Sequence, residues 1–261
     1  MATNAIAIAP RETGLAYYAN IFGKEAKYEF VRMLRTRVFS LSVIGFPVMF
    51  YLLFGASNRH NPFASYLIAG YSCMGVVSSC LFGIGMGISL ERAQGWLDLK
   101  QASPMPRLAY IGAKVLTCAA FALVIVTILA ALGVIIGGVK VTPLEYVQLA
   151  GVILAGSVPF TAMALVVALL VPANAGPGII NLFYLPMSFA SGFWMPITYL
   201  PPFFQKIAPA LPTYHLAQVA LNIFGMAQTG SMKIHWEALA GFTLLLLGTA
   251  WIIFTRGEAK A

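Results

Sequence analysis

The sequence predicts an all-helical integral membrane protein with six transmembrane helices, an N-terminal interfacial helix and short re-entrant helices before the last span. Two features of the composition predict this class. Apolar residues make up 60% of the 261 residues and charged residues only 9%, and the mean hydropathy is +0.84. A soluble domain has about 25% charged residues, and so few charges could not cover a surface of this size in water. Lipid is the solvent that suits such a surface.

The first predicted element is a helix at residues 16–37 that lies on the membrane surface. At helical spacing, apolar residues such as Phe22, Ala26, Met33 and Leu34 share one face, and charged residues, Glu29 among them, occupy the rest. An apolar stripe beneath a charged back is typical of an interfacial helix. The same pattern also fits a solvated helix that leads into the first span.

Six stretches follow that are long and apolar enough to cross a bilayer. A spanning helix needs about 20 apolar residues, because unpaired backbone groups are costly in hydrocarbon. The six stretches are residues 38–55, 63–90, 108–139, 144–171, 178–199 and 236–254. Lys114 lies near the start of the third, and we expect its side chain to extend toward the lipid headgroups. No other Lys, Arg, Asp or Glu interrupts the middle of a span.

The distribution of basic residues predicts the orientation of the spans. Of the 16 Lys and Arg residues, 12 fall in the N-terminal segment, around the connection between the second and third spans, and in the C-terminal tail. The other four are Arg59, Lys140, Lys206 and Lys233. Basic residues favour the cytoplasmic side, so a multi-pass protein of the cytoplasmic (inner) membrane with both termini in the cytoplasm is predicted. Topology therefore explains the net charge of +8, and nucleic acid is not an expected partner.

Residues 195–228, on the predicted outer side, are apolar but cannot form one helix. Five prolines interrupt them, at Pro196, Pro201, Pro202, Pro209 and Pro212. Proline removes a backbone donor and clashes with the preceding turn, whereas a long solvated loop would be more polar. We therefore predict short helices that dip into the outer leaflet and pack on protein.

The sequence offers little for catalysis or for metal and cofactor binding. His60, His215 and His235 lack metal-ligand spacing, and the three cysteines lie in apolar runs typical of buried side chains. No phosphate-binding loop is found, so the chain is not expected to be an enzyme or to bind ATP itself. Ion-coupled transporters usually carry an ionisable residue at mid-membrane, and only the near-interfacial Lys114 comes close. A transporter of this kind must receive energy from a partner.

Small residues and prolines mark possible helix contacts. Two glycine pairs have the spacing of closely packed helices in lipid, namely Gly83 with Gly87 and Gly133 with Gly137. The contacts could lie within the chain or at a dimer seam, and the sequence leaves both open. Three prolines expected to kink their spans, together with one asparagine, would supply polar groups to a lined cavity: Pro47, Pro159, Pro186 and Asn181.

Residues 91–107 form a charged connection between the second and third spans. The chain has no visible repeat or soluble domain, so residues 1–261 are taken as one domain. By composition the connection is an ordinary basic loop, but the run from Glu91 to Lys114 resembles the same region of ABC-2 type transporter permeases. The matching residues are Glu91, Arg92, Gly95, Leu97, Ser103, Pro104, Arg107, Gly112 and Lys114. Trp96 departs from the family, which often has Thr there.

A second likeness lies after the predicted fifth span. The residues Ser191-Gly192-Phe193-Trp194-Met195-Pro196, with Leu200-Pro201 and Leu211-Pro212-Thr213-Tyr214, resemble the family's outer re-entrant segment. The interfacial helix before the first span also fits, so the likeness covers essentially the whole chain.

The resemblance implies a six-span subunit of an ATP-driven exporter that dimerises with a second copy or a homologous permease. Two separate P-loop ATPase subunits would bind ATP and Mg²⁺, and this chain would hold no cofactor. The interfacial helix and the charged connection would receive the ATPase motion, through surface salt bridges that are individually weak. The implied coupling residues are Lys24, Lys27, Arg32, Glu91, Arg92, Gly95, Asp98 and Arg107.

The expected cargo is an amphipathic small molecule or a lipid-linked compound, because an apolar lumen with few charges suits hydrophobic cargo, and membrane lipid is an expected partner. The alternative is a membrane-embedded scaffold or sensor subunit without transport of its own.

Overall fold

The structure, a computed structural model, describes residues 15–258 except 97, 98, 100–106, 173 and 229. For residues 15, 16, 107, 108 and 254–258 it describes the backbone only. All regular structure in the described part of the chain is helical. The helices are α1 (Leu15–Arg35), α2 (Arg37–Phe50), α3 (Pro62–Cys80), α4 (Gly87–Ala93), α5 (Arg107–Ile135), α6 (Pro143–Leu170), α7 (Gly176–Ala190), α8 (Pro202–Ile207), α9 (Pro212–Ile223) and α10 (Met232–Glu258).

Five stretches of this described chain are long and apolar enough to cross a membrane. They are Arg37–Gly55, Pro62–Ala93, Ala109–Ile135, Pro143–Leu170 and Met232–Ile253. The first includes a π-helical turn after α2, and the second joins α3 to α4 through the π-helical segment Leu81–Met86. The second span is the central one, since 78% of its most apolar 18-residue stretch is buried, against 11% of the corresponding stretch in the last span.

Contacts between helix ends define two ends of the bundle. The Arg92 guanidinium, in the last turn of α4, donates to the carbonyl oxygens of Leu169 and Val171 at the end of α6, at 3.4 Å each. We call this the α1 end, because α1 packs there against the start of α5. At the opposite end, the His60 amide donates to the Gly137 carbonyl oxygen at 2.8 Å.

Local sequence signals set where the helices begin at the opposite end. Thr142 and Glu145 form a capping box at the start of α6, with side chain and backbone bonded reciprocally. At the start of α3, the Asn61 side chain accepts a hydrogen bond from the Phe63 amide, and Pro62 occupies the first turn.

The predicted span at residues 178–199 ends early, at Ala190. The helix α7 has 15 residues, a rise of about 22 Å, which is less than the ~30 Å of bilayer hydrocarbon. The chain turns at Gly192, whose φ of +79° favours glycine. The Tyr66 hydroxyl of α3 donates to the Gly192 carbonyl oxygen and holds this turn.

Short helical segments follow in place of a loop. They are Ile197–Tyr199, α8, Ala208–Ala210 and α9, and three of them have proline in the first turn. The backbone around them is tied by side chains, because Gln228 accepts from the Ile197 amide at 3.2 Å and Gln218 accepts from the Gln228 amide at 2.8 Å.

Candidate functional site

A buried cluster of charges joins α1 to the second and third spans. The Lys114 ammonium of α5 lies 2.7 Å from a carboxylate oxygen of Glu29 in α1 and 2.9 Å from one of Glu91 in α4. Less than 5% of each of these three side chains is exposed. Three elements that are distant in sequence therefore meet at one ion cluster.

Arg32 and Tyr110 complete this cluster. Arg32 contacts the same two carboxylates, Glu29 at 2.7 Å and Glu91 at 2.5 Å, while about half of its side chain stays exposed. Tyr110 donates from its hydroxyl to the second carboxylate oxygen of Glu91 at 2.6 Å. Burial lowers the pKa of Arg32, but Glu29 and Glu91 together raise it by more than burial lowers it. The net shift of this pKa is therefore upward. Among the described side chains, two cations and two anions thus meet within one site.

The expectation that Lys114 extends to the headgroups is wrong. Its side chain is 1% exposed, because two carboxylates lie within reach inside the protein and a paired charge is less costly there than an unpaired one. The expectation of weak surface salt bridges is wrong for Glu91, which is buried. Removal of one charged partner from a buried ion network strongly destabilises the folded protein.

The helical face assigned to α1 is also wrong in part. Glu29 is buried, together with Ala26 and Met33, and Leu34 is exposed. The spacing 26, 29, 33 places these three residues on one helical face, and this signal was available in the sequence. Without tertiary partners, however, a glutamate on an apolar face is ordinarily assigned to solvent.

The other proposed coupling residues are distributed around the cluster. Lys24 and Lys27 are exposed on α1. Arg92 binds the end of α6, as described, and Gly95 adopts φ +72° in the turn that ends α4. Asp98 lies outside the described residues, and Arg107 is described only in its backbone.

A cavity of about 780 Å³ lies beside the cluster. Arg32 and Glu91 stand at one end of it, and its walls come from α1, α2, the second span and α7. Pro47 and Asn181, which were expected to line a cavity, both lie in its wall, whereas Pro159 and Pro186 do not. Phe39, Phe82 and Tyr184 give the wall an aromatic and largely apolar character.

An aromatic cluster lies beyond the cavity toward the opposite end. Phe46, which lines the cavity, lies 6.2 Å from the Trp194 ring. Trp194 packs edge-on against Phe50 at 4.6 Å and against Tyr71 at 6.2 Å. The segment after α7 therefore contacts Phe46 in the cavity wall, which sequence patterns did not indicate.

The two glycine pairs make close contacts inside the chain. A methyl group at Gly83 would lie 2.5 Å from the Met33 methyl carbon, and one at Gly137 would lie 2.5 Å from the Tyr51 hydroxyl. Gly133 faces Ile68 and Gly87 faces the Lys114 ammonium. These glycines let α1, the first span and α5 approach the central span.

The remaining polar candidates lie at the opposite end or in the core. His215 and His235 are buried in contact with each other, and His60 is not part of this pair. Cys73, Cys80 and Cys118 are buried free thiols, as predicted. The described residues contain no group of three His, Cys, Asp or Glu side chains that could hold a metal ion.

Comparison with known proteins decides the family. The sequence model for ABC-2 type transporters matches residues 25–224, which is more than half of the chain and includes the ion cluster, the cavity and the aromatic cluster. The chain belongs to the ABC-2 type transporter family.

A relative from Bacillus subtilis (strain 168) supports this membership. The protein named "Putative transport permease YvfS" is 27% identical to this ABC-2 permease over 209 residues, covering 78% of this chain and 85% of the relative. The ABC-2 permease is thus a multi-pass membrane subunit of a transporter, and the site on its α1 end is a site of a transport protein.

Proposed function

We propose that this permease is the membrane subunit of an ATP-driven exporter in the cytoplasmic (inner) membrane. A separate P-loop ATPase supplies the energy, a second copy or a homologous permease completes the assembly, and the cargo is an amphipathic small molecule or a lipid-linked compound. The observation that carries the proposal is the buried cluster of Glu29, Glu91 and Lys114, because it ties the surface helix α1 rigidly to two spans beside a cavity.

The proposed orientation places the α1 end in the cytoplasm. Described basic residues at that end are Lys24, Lys27, Arg32, Arg35, Arg37, Arg92 and Lys114, and those at the opposite end are Arg59, Lys140, Lys206 and Lys233. The excess favours the α1 end on the cytoplasmic side.

The proposed sixth crossing is α7 together with the segment that follows it. The helix alone is too short, but its turn at Gly192 is hydrogen-bonded to Tyr66, and the Ile197 amide is bonded to Gln228. Non-helical backbone is tolerated at membrane depth when it is buried in protein. We propose that α8 and α9 are the outer re-entrant helices.

The α1 end offers a surface on which an ATPase can dock. Trp96 and Leu99 expose more than half of their surface in the connection after α4, and Tyr28 does so on α1, next to Lys27. Because Glu91 is buried, it acts in transmission and not in docking. ATPase motion would push on α1 and the connection, and the ion cluster would pass it to the spans that bound the cavity.

Copurification tests the docking surface. The tagged permease is purified from native membranes, and bound P-loop ATPase is measured by mass spectrometry. Lys24→Glu with Lys27→Glu, or Trp96→Ser alone, should reduce the bound ATPase. The matched control, Lys206→Glu with Lys233→Glu, reverses two charges at the opposite end and should leave binding intact. Equal binding by all variants would remove the proposed docking surface.

Transport is tested in vesicles that contain the permease and its copurified ATPase. ATP turnover and movement of compound are measured against a panel of lipids and amphipathic drugs. We expect a subset to stimulate turnover and to move across the membrane. An ATPase that binds but shows flat turnover and no movement would favour the scaffold or sensor alternative.

A further inference from the structure

We propose that the cavity beside the ion cluster binds an anionic amphiphile with a single hydrocarbon chain, taken from the surrounding leaflet. The headgroup lies at Arg32 and the chain points toward Phe46. This inference rests on the proposed function only in treating the amphiphile as cargo, since the binding itself needs no ATPase.

The body of the cavity suits a hydrocarbon chain. Its volume of about 780 Å³ falls within the ~300–1,000 Å³ of small-molecule sites. Along its length it is lined by Phe39, Val43, Phe46, Met74 and Phe82. Contact with these side chains removes from water the part of the ligand's apolar surface that lies near its headgroup.

The charge presented at the mouth is positive. Glu91 lines the cavity but is 3% exposed, whereas Arg32 is 46% exposed. Both carboxylates of the cluster contact the same terminal nitrogen of Arg32, Nη2. The guanidinium carries further N–H donors, and these suit a carboxylate or phosphate group. Arg37, exposed at the start of α2, adds to the positive field.

Apart from Arg32 and Glu91, the described polar residues that line the cavity are uncharged. Thr36, Ser42 and Gln94 are among them and can donate to an anionic headgroup. A cationic headgroup would meet Arg32 first and would be repelled. Charge complementarity therefore selects the sign of the ligand.

The walls give access from the bilayer. Val38 of α2 and Leu185 of α7 line the cavity and are also exposed on the surface of the bundle, at 80% and 41%. A chain in the leaflet can therefore enter between α2 and α7 without crossing the ion cluster. The aromatic cluster at Trp194 limits how far it can travel.

Photolabelling of the purified permease, without ATPase, tests the site. The probes are hexadecanoic acid, hexadecanol and hexadecyltrimethylammonium, each carrying the same diazirine on the chain. We expect the acid to label residues around Phe82 and Met86 about tenfold more than the cation does, equivalent to ~1.4 kcal/mol. Peptide mass spectrometry locates the label.

Two adjacent positions on α2 provide a matched pair. Ser42→Trp fills the cavity and should remove most of this labelling, whereas Leu41→Trp, on the surface of the same helix, should leave it unchanged. Arg32→Gln should abolish the preference for the acid over the cation. If that variant fails to fold, the comparison of Ser42 with Leu41 still decides.

Three results would overturn the inference. They are equal labelling by acid and cation, equal labelling in the two tryptophan variants, or no label in the cavity, as when a second copy of the chain fills it. Acid labelling without ATP-dependent transport would keep the binding site and remove the transport role. Transport without cavity labelling would do the reverse.

Discussion

The Nδ1 atom of His235 in α10 lies 2.9 Å from the Nδ1 atom of His215 in α9. The Nε2 atom of His215 lies 2.9 Å from the Pro209 carbonyl oxygen, which can only accept a hydrogen bond. In its neutral form, His215 therefore carries its proton on Nε2 and accepts at Nδ1 from His235. The contact fixes the short helix α9 to the last span.

The histidine pair predicts a pH dependence of stability. Burial lowers the pKa of His215, the Pro209 carbonyl raises it, and a charge on His235 lowers it, with a net shift downward. The unfolded chain, with a pKa of about 6.5, therefore binds more protons at acidic pH. The stability that His215 contributes is complete when the pH is above the pKa of the unfolded chain. This contribution declines as the pH falls through that pKa.

Thermal unfolding in detergent between pH 8 and pH 5 measures this decline. His215→Asn does not titrate and keeps a side-chain acceptor that can face His235, so its stability should change less with pH than that of the wild type. Parallel pH curves for the two proteins would assign the decline to other groups.

The ion cluster predicts a large effect at Lys114. Lys114→Met removes one cation from beside two buried carboxylates, and should reduce the free energy of unfolding by about 3–5 kcal/mol. Adding Glu91→Gln removes one of these charges and should restore part of the loss. Lys24→Met, on the exposed side of α1, should change stability by less than ~0.5 kcal/mol. Thermal denaturation of the four proteins gives the comparison, and a Lys114 variant as stable as the Lys24 variant would contradict the buried network.

The close approach of Gly70 to the segment after α7 predicts a steric effect. A methyl group at Gly70 would overlap the Phe193 carbonyl oxygen, which is backbone and cannot rotate away. Gly70→Ala should therefore destabilise the protein by about 1–3 kcal/mol. Gly241→Ala, where the methyl group meets nothing within 4 Å, should be neutral or stabilising. Gly70→Ala should therefore lower the melting temperature, whereas Gly241→Ala should leave it unchanged or raise it.

Two buried tyrosines predict opposite responses to loss of a hydroxyl. The Tyr51 hydroxyl has no hydrogen-bond partner among the described residues, while that of Tyr66 donates to Gly192. Tyr51→Phe should therefore leave stability unchanged or raise it, and Tyr66→Phe should lower it by about 1–3 kcal/mol. Similar losses in both variants would indicate a partner for Tyr51 outside the described part of the chain.

The spans were largely predictable from composition, but the site was predictable only in part. A run of about 20 apolar residues needs no tertiary information, so five of the six expected spans correspond to helices of sufficient length. The early end of α7 depends on Gly192 and on Tyr66, which is 126 residues away. The burial of Lys114 depends equally on Glu29, 85 residues away. Such long-range pairs leave no local period in the sequence.

The three-way pairing of Glu29, Glu91 and Lys114 also constrains how the protein is made. Glu29 and Glu91 leave the ribosome before Lys114, so until α5 is made their buried carboxylates lack one cation of the finished cluster, and an incompletely neutralised carboxylate is unfavourable within a membrane. The two earlier segments can reach their final places only after α5 is synthesised and delivers its ammonium group. The amino-terminal helices therefore mature late, as one cooperative unit whose completion depends on the third inserted segment.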